Sequence, residues 1–174
     1  MKNILIISST KNSNLELSKD IKDFLDKEKK FKSEIINLED FELPLFTPTI
    51  EKNFIENSEL PPNVNKIKDK LINSYAMIWC SPEYNGGIAP IVTNTISWIS
   101  RVTDNWKEAF QDKTMLVCTS SGGNGKNFIS GFNTQLEYLG AKPFEDSIIS
   151  TKKRKIDQNE FNRILHFFCD RLNN

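Results

Sequence analysis

The sequence predicts a doubly wound α/β/α sandwich, three layers built on a five-stranded parallel sheet of order 2-1-3-4-5. Three observations predict it. Short apolar runs and amphipathic stretches alternate five times along the 174 residues, the pattern of a parallel sheet with helices on both faces. The apolar runs are continuous rather than alternating, as strands buried on both faces require. Polar or glycine-bearing segments follow the first, third and fourth runs, where an open α/β sheet carries its ligand site.

Each element has its own warrant. Ile4, Leu5, Ile6 and Ile7 form the first strand. Leu17, Ile21, Phe24 and Leu25 then recur at helical spacing. Residues 34–38 read as the second strand. Residues 39–59 read as irregular, because Leu43-Pro44-Leu45-Phe46 and Pro48 interrupt regular structure. Pro61-Pro62 opens a helix with Val64, Ile67, Leu71 and Ile72 on one face, and residues 76–80 make the third strand. A helix from Pro90 to Val102 follows, then a strand over 114–119. The next helix carries Phe128, Ile129, Phe132, Leu136 and Leu139, with Gly140 suited to the position just past its end. Residues 144–149 form a weaker fifth strand, and Phe161, Ile164, Leu165, Phe168 and Leu172 mark the last helix. The chain reads as one domain over residues 1–174.

Composition removes several function classes. Lys plus Arg and Asp plus Glu both number 23, so the net charge is zero. Nucleic-acid binding would want a basic excess, and an electron carrier steered onto basic partners would want an acidic one. Cys80, Cys118 and Cys169 lack C-x-x-C spacing and read as reduced, buried thiols of a cytoplasmic protein. The apolar run after Lys2 is too short for a signal peptide, and none approaches a membrane span. No metal-ligand spacing and no Ser/His/Asp or Cys/His set is evident. His166 lies far in sequence from the loops, and Lys152-Lys153-Arg154-Lys155 reads as a solvated basic loop.

Five of the seven glycines fall in two loops, Ser81 to Gly87 and Ser120 to Gly125, which marks both as parts of one site. The loop after the first strand, Ser8-Ser9-Thr10-Lys11-Asn12-Ser13-Asn14, brings hydroxyls, amides and a cation to the start of a helix. Free N–H groups and the helix dipole favour a phosphate there. An ordinary capped helix is the competing reading, since Ser13 and Glu16 have the spacing of a capping box, and Glu16 is a carboxylate able to compete for the first amides. The loop has neither the P-loop nor the dinucleotide glycine pattern. Three loops after strands 1, 3 and 4 suit the phosphate and ring ends of a mononucleotide such as FMN.

These motifs resemble those of the NADPH-dependent FMN reductase family, which has the flavodoxin-like fold. The likeness is carried by Pro82-Glu83-Tyr84-Asn85-Gly86 followed by Pro90 and Trp98, by the Ser- and Gly-rich turn Ser120-Ser121-Gly122-Gly123-Asn124-Gly125, by Leu43-Pro44, and by the first loop. In that loop Ser8 stands where the family has glycine and Lys11 where it has arginine. The resemblance implies that Ser9, Lys11, Ser13 and Asn14 hold the FMN phosphate. It implies that Pro82, Glu83, Tyr84, Asn85 and Gly86 hold the ribityl chain and isoalloxazine, largely by backbone, and that Ser120, Gly122 and Gly123 flank the ring. NADPH or NADH would be the co-substrate, and a quinone, an azo compound or free flavin the acceptor. No catalytic side chain is expected, because the flavin carries the chemistry. The alternative from another class is a non-enzymatic FMN-binding electron carrier or redox sensor.

The helix from Pro90 to Val102 carries two apolar stripes, Val92, Ile96 and Ile99 on one and Ile91, Trp98 and Val102 on the other. A second stripe implies a second burial partner. With Trp98 and Arg101 on it, and with the family resemblance, it predicts a homodimer or a dimer of dimers. A neighbouring helix on the same face of the sheet is the other candidate to cover it.

Overall fold

The computed structural model describes residues 1–173. In chain order the elements are β1 (Asn3–Ser8), α1 (Ser13–Glu28), β2 (Lys32–Asn37), a 3-10 turn (Leu38–Phe41), α2 (Pro48–Glu56), α3 (Val64–Ile72), β3 (Ala76–Cys80), the two-residue strands β4 (Glu83–Tyr84) and β5 (Gly87–Ile88), α4 (Pro90–Val102), β6 (Thr114–Ser121), α5 (Lys126–Tyr138), β7 (Lys142–Pro143), β8 (Ile148–Thr151) and α6 (Gln158–Asn173). The main sheet runs β2-β1-β3-β6, with β7 and β8 both on the outer side of β6, and every pairing in it is parallel. This is the predicted 2-1-3-4-5 order, with the fifth position shared by two short strands.

The two faces of the sheet separate residue by residue. Leu5, Ile7, Met77, Trp79, Met115 and Val117 pack with α3, α4 and α5. Ile4, Ile6, Ala76, Ile78, Leu116 and Cys118 pack with α1 and α6. Alternation sends neighbours to opposite faces and both faces are covered, so the runs had to be apolar throughout. No helix among the described residues is long and apolar enough to cross a membrane.

Four expectations are corrected. First, residues 39–59 are not irregular. Thr47 caps α2, its Oγ1 accepting the Ile50 N–H at 3.1 Å, and Pro48 sits in the first turn, where its missing N–H costs nothing. The proline starts this helix rather than blocking it. Second, the fifth strand is interrupted within the predicted 144–149. Met115 faces Pro143 and Cys118 faces Ile148, so the outer strand spends more residues than β6 over the same length and bulges between its two pieces. Third, β6 continues to Ser121, which places Ser120 in a strand rather than a loop.

The fourth correction concerns α4. Its boundaries are as predicted, but Trp98 on its second stripe is covered by the chain itself, while Ile91 and Val102 are partly buried. Trp98 is 1% exposed. Its Nε1 donates to the Pro44 carbonyl at 2.7 Å, and Phe46 and Phe54 pack edge-on against its ring at 5.1 and 5.9 Å. Asn94 fixes the same stretch, accepting the Phe46 N–H at 2.7 Å and donating to the Pro44 carbonyl at 3.0 Å. The cover over Trp98 is the Pro44–Phe46 stretch and α2. At the amino edge of the sheet, the Lys113 ammonium donates to the carbonyls of Leu71, Ile72 and Ser74 at 2.5, 2.7 and 2.8 Å and closes the end of α3.

Candidate functional site

Three loops leave the carboxyl ends of β1, β3 and β6, and hydrogen bonds tie them together in pairs. Loop 1 joins β1 to α1. Ser9 Oγ donates to Ser81 Oγ at 2.8 Å, and the Ser9 N–H donates to the Cys80 carbonyl at 2.9 Å, which locks loop 1 to the end of β3. Asn14 Nδ2 donates to the Ser120 carbonyl at 2.9 Å while its Oδ1 accepts the Ser120 N–H at 2.8 Å, which locks α1 to β6. The Glu83 N–H donates to Ser121 Oγ at 2.8 Å, which locks the β4–β5 hairpin to β6.

At the start of α1 the capping box does not form. Asn12 is the N-cap and its side chain makes no capping bond. Glu16 pairs instead with Lys19 at 2.8 Å. The Leu15 and Glu16 N–H groups are taken up by the Asn12 carbonyl. Those of Thr10, Asn12, Ser13 and Asn14 donate to nothing among the described residues. Four free amides at the end of a 16-residue helix are a ready anion site. Two carboxylates border it. Glu39 Oε1 accepts the Lys11 N–H at 3.2 Å, and Asp40 pairs with the Lys11 ammonium at 2.7 Å. The hydrogen bond to Asp40, and then its charge, hold the Lys11 ammonium above its usual range.

Loop 2 is the β4–β5 hairpin, with Tyr84 opposite Gly87. Its central residues Asn85 and Gly86 have φ of 51° and 73°, as the Asn-Gly type I′ turn demands. Pro82 is buried, and Tyr84 at the rim is 48% exposed. Loop 3 joins β6 to α5, whose N-cap, Gly125, has no side chain to offer. Gly125 has φ 72°, and a Cβ there would lie 2.6 Å from Thr119 Cγ2, so glycine is required. Glu83 supplies the missing cap. Its Oε2 accepts the N–H groups of Asn127 at 3.0 Å and Phe128 at 3.1 Å. An added Cβ at Gly122 would meet nothing within 4 Å, so ligand atoms can approach the backbone there.

The predicted site residues therefore share one edge of the sheet but not one role. Ser13, Gly122, Gly123, Tyr84, Asn85 and Gly86 are open to solvent to different degrees. Ser9 is 0% exposed with its donors already used. The Asn14 side chain and the Ser120 backbone spend their polar groups on each other, Lys11 is engaged by Asp40, and both the N–H and the carboxylate of Glu83 are engaged within the protein. Three residues join the candidates. Thr10 makes no hydrogen bond through its hydroxyl among the described residues. Asn12 caps α1. Asn37 lies opposite Ser8 in register, and its buried Nδ2 has no partner. Their signal in the sequence was the polarity of loop 1; the adjacency of β2 was not in it. The orphaned Asn37 donor, the free α1 amides and the open backbone at Gly122 fit an FMN phosphate and ring edge.

A groove of about 870 Å3 runs between α1 and α6, meeting the site only at Ser13 and Ser120. Glu16, Asp20, Asp23 and Glu28 line it against Lys27 and Lys155. Burial, then Asp23 and Glu16, raise the Asp20 carboxyl above its usual range. Four carboxylates against two ammonium groups make this wall a poor place for a phosphate. Burial also pushes the Cys118 thiol up, and that of Cys169 to about 11, so neither is a thiolate at neutral pH.

Fold and site together define a flavodoxin-like protein with the loop arrangement of a mononucleotide-binding flavoprotein. The sequence profile described as NADPH-dependent FMN reductase matches residues 1–153, and the chain belongs to that family, whose cofactor is FMN and whose co-substrate is a reduced nicotinamide nucleotide. An uncharacterised protein of Mycoplasma pneumoniae is 27% identical over 139 residues, covering 78% of this chain and 74% of that protein. An NADPH:quinone oxidoreductase of Arabidopsis thaliana is 28% identical over 78 residues, 45% of this chain and only 38% of the plant enzyme. Among solved structures, a flavoenzyme NAD(P)H:(acceptor) oxidoreductase of Paracoccus denitrificans superposes with a TM-score of 0.74 at 17% identity, covering 99% of this chain and 95% of that one. An FMN-dependent NADH-azoreductase of Bacillus anthracis, in complex with FMN, gives 0.68 at 17% identity over 99% and 100% of the two chains. At these identities the structural likeness speaks for the fold.

Proposed function

We propose that the protein oxidises NADPH or NADH and passes the electrons through FMN to a small acceptor of the quinone, azo or free-flavin class. The observation that carries this reading is the start of α1, a helix whose first amides stand free at the carboxyl edge of the sheet. Those amides, with the hydroxyls of Thr10 and Ser13, hold the phosphate. Asn14 keeps α1 at a set distance from β6 and so fixes where the phosphate lies relative to loop 3. The open backbone at Gly122 and the rim residue Tyr84 receive the ring. FMN, when bound, accepts hydride equivalents and delivers electrons in one- or two-electron steps. The protein binds, orients and shields it, and no side chain need act as acid or base. The plant quinone oxidoreductases among the relatives favour the quinone class. A homodimer and a cytoplasmic location stay in this reading on family resemblance and on the three reduced cysteines.

The visible spectrum of the purified protein, FMN titration by fluorescence quenching, and NADPH oxidation with a quinone test the reading. Flavin binding at micromolar levels and quinone-dependent oxidation are expected. Absence of flavin binding overturns it. Binding without oxidation of either nicotinamide nucleotide turns it to the electron-carrier alternative.

A further inference from the structure

We propose that Glu83 is the positioning residue of the flavin site, holding loops 2 and 3 in one arrangement before the flavin arrives; this rests on the FMN reading above. Glu83 opens the β4–β5 hairpin, yet its carboxylate is spent more than forty residues downstream, on the N–H groups of Asn127 and Phe128. Those are the second and third residues of α5, whose N-cap Gly125 cannot cap itself. No other side chain accepts these two N–H groups among the described residues. The second oxygen, Oε1, lies over Gly123, 3.5 Å from where a Cβ would stand. The backbone of Glu83 is held as well: its N–H donates to Ser121 Oγ, which also bonds Thr119 Oγ1 at 2.6 Å.

One residue thus joins the hairpin, the end of β6 and the start of α5. A carboxylate at a helix N-terminus is stabilised by charge-assisted hydrogen bonds and by the helix dipole. Without it the first turn of α5 frays, and Gly122, Gly123 and Asn124 lose the anchor on their downstream side. Binding flavin then has to order both loops, a cost that a preorganised site does not carry. Glu83 therefore acts on the flavin through the loops, and its carboxylate does not touch the flavin. It also fills the α5 N-terminus with an internal anion and leaves α1 as the open one.

The test is FMN titration of the parent, Glu83→Gln, Glu83→Ala and Lys113→Met, each at a temperature where circular dichroism shows it folded. Thermal midpoints and amide exchange at Asn127 and Phe128 are read on the flavin-free proteins. Glu83→Ala is expected to raise the Kd about tenfold or more and to lose protection at the two amides. Glu83→Gln keeps an acceptor oxygen and should fall between, recovering part of both signals. Lys113→Met, at the opposite edge of the sheet, should lower the midpoint yet keep the Kd within about twofold. Equal Kd in Glu83→Ala and a flavin-binding parent overturns the positioning role. A Kd that rises with amide protection unchanged overturns it too, in favour of direct contact with the flavin. A parent that fails to bind FMN removes the flavin reading itself and the role with it. If Glu83→Ala does not fold, Glu83→Gln decides, since its amides and its Kd must then move together.

Discussion

Two helices begin at the carboxyl edge of this sheet, α1 after β1 and α5 after β6, on opposite faces, and the Asn14–Ser120 pair ties the first to the strand that leads into the second. They solve the same electrostatic problem differently. Each has orphan N–H groups and a partial positive charge at its start. The first turn of α5 is closed by Glu83 from another loop. That of α1 has an asparagine N-cap whose side chain is not used, and amides that stay free. Under the proposed FMN reading, the helix left open is the one that receives an anion from outside, the flavin phosphate. Only the glycine at 125, which excludes a self-cap, makes the long-range cap on α5 necessary.

The largest expected effect breaks the α5 side. Gly125→Ala forces a side chain into left-handed backbone and against Thr119 Cγ2. It is expected to cost about 2–3 kcal/mol in chemical denaturation, and an unchanged midpoint would show that loop 3 can rearrange without loss. Next comes the bridge between α1 and β6. Asn14→Ala leaves the Ser120 N–H and carbonyl without partners and should cost about 2 kcal/mol, with FMN affinity falling as α1 shifts relative to β6. Stability lost with an unaltered Kd would make the bridge purely structural.

The sharpest test gives α1 the anion it lacks. Asn12→Asp should raise thermal stability slightly, by about 0.5 kcal/mol, while weakening FMN about fivefold, since the new carboxylate occupies the phosphate's amides. Tighter FMN binding in that variant would move the phosphate away from α1. The smallest effect is at the rim. Asp40→Asn frees the Lys11 ammonium and should tighten FMN about twofold at low salt, vanishing near 1 M salt, because both partners are exposed and screened. A salt-independent change would mean that Asp40 acts by packing instead. Ser9→Glu, the obvious charge probe from sequence, is not a binding test: Ser9 is fully buried against Ser81, so an unpaired carboxylate there would unfold the protein before it repelled a phosphate.

Most of the architecture was legible because it is set by local pattern. Continuous apolar runs placed β1, β3 and β6, and helical spacing with Pro90 at its start bounded α4 from Pro90 to Val102. Gly140, past the end of α5, has the left-handed φ of 81° that its position called for. The Thr47-Pro48 pair carried the signature of a helix start, and reading the proline as a breaker hid α2. The three loops were legible as a candidate site from composition, through their glycines and hydroxyls.

What each loop residue does was decided by the tertiary structure. Glu83 reads as a flavin-loop residue until the fold brings α5 to it. Ser9 reads as a phosphate donor until β3 covers it. Lys11 reads as a free cation until β2, pairing with β1, brings Asp40 alongside. Trp98 reads as an interface residue until the Pro44–Phe46 stretch folds over it. The physical reason is common to all four. Burial pattern and backbone propensity act over a few residues and are written in local spacing. A hydrogen bond or ion pair between residues tens of positions apart exists only once the crossovers have set the order of the strands.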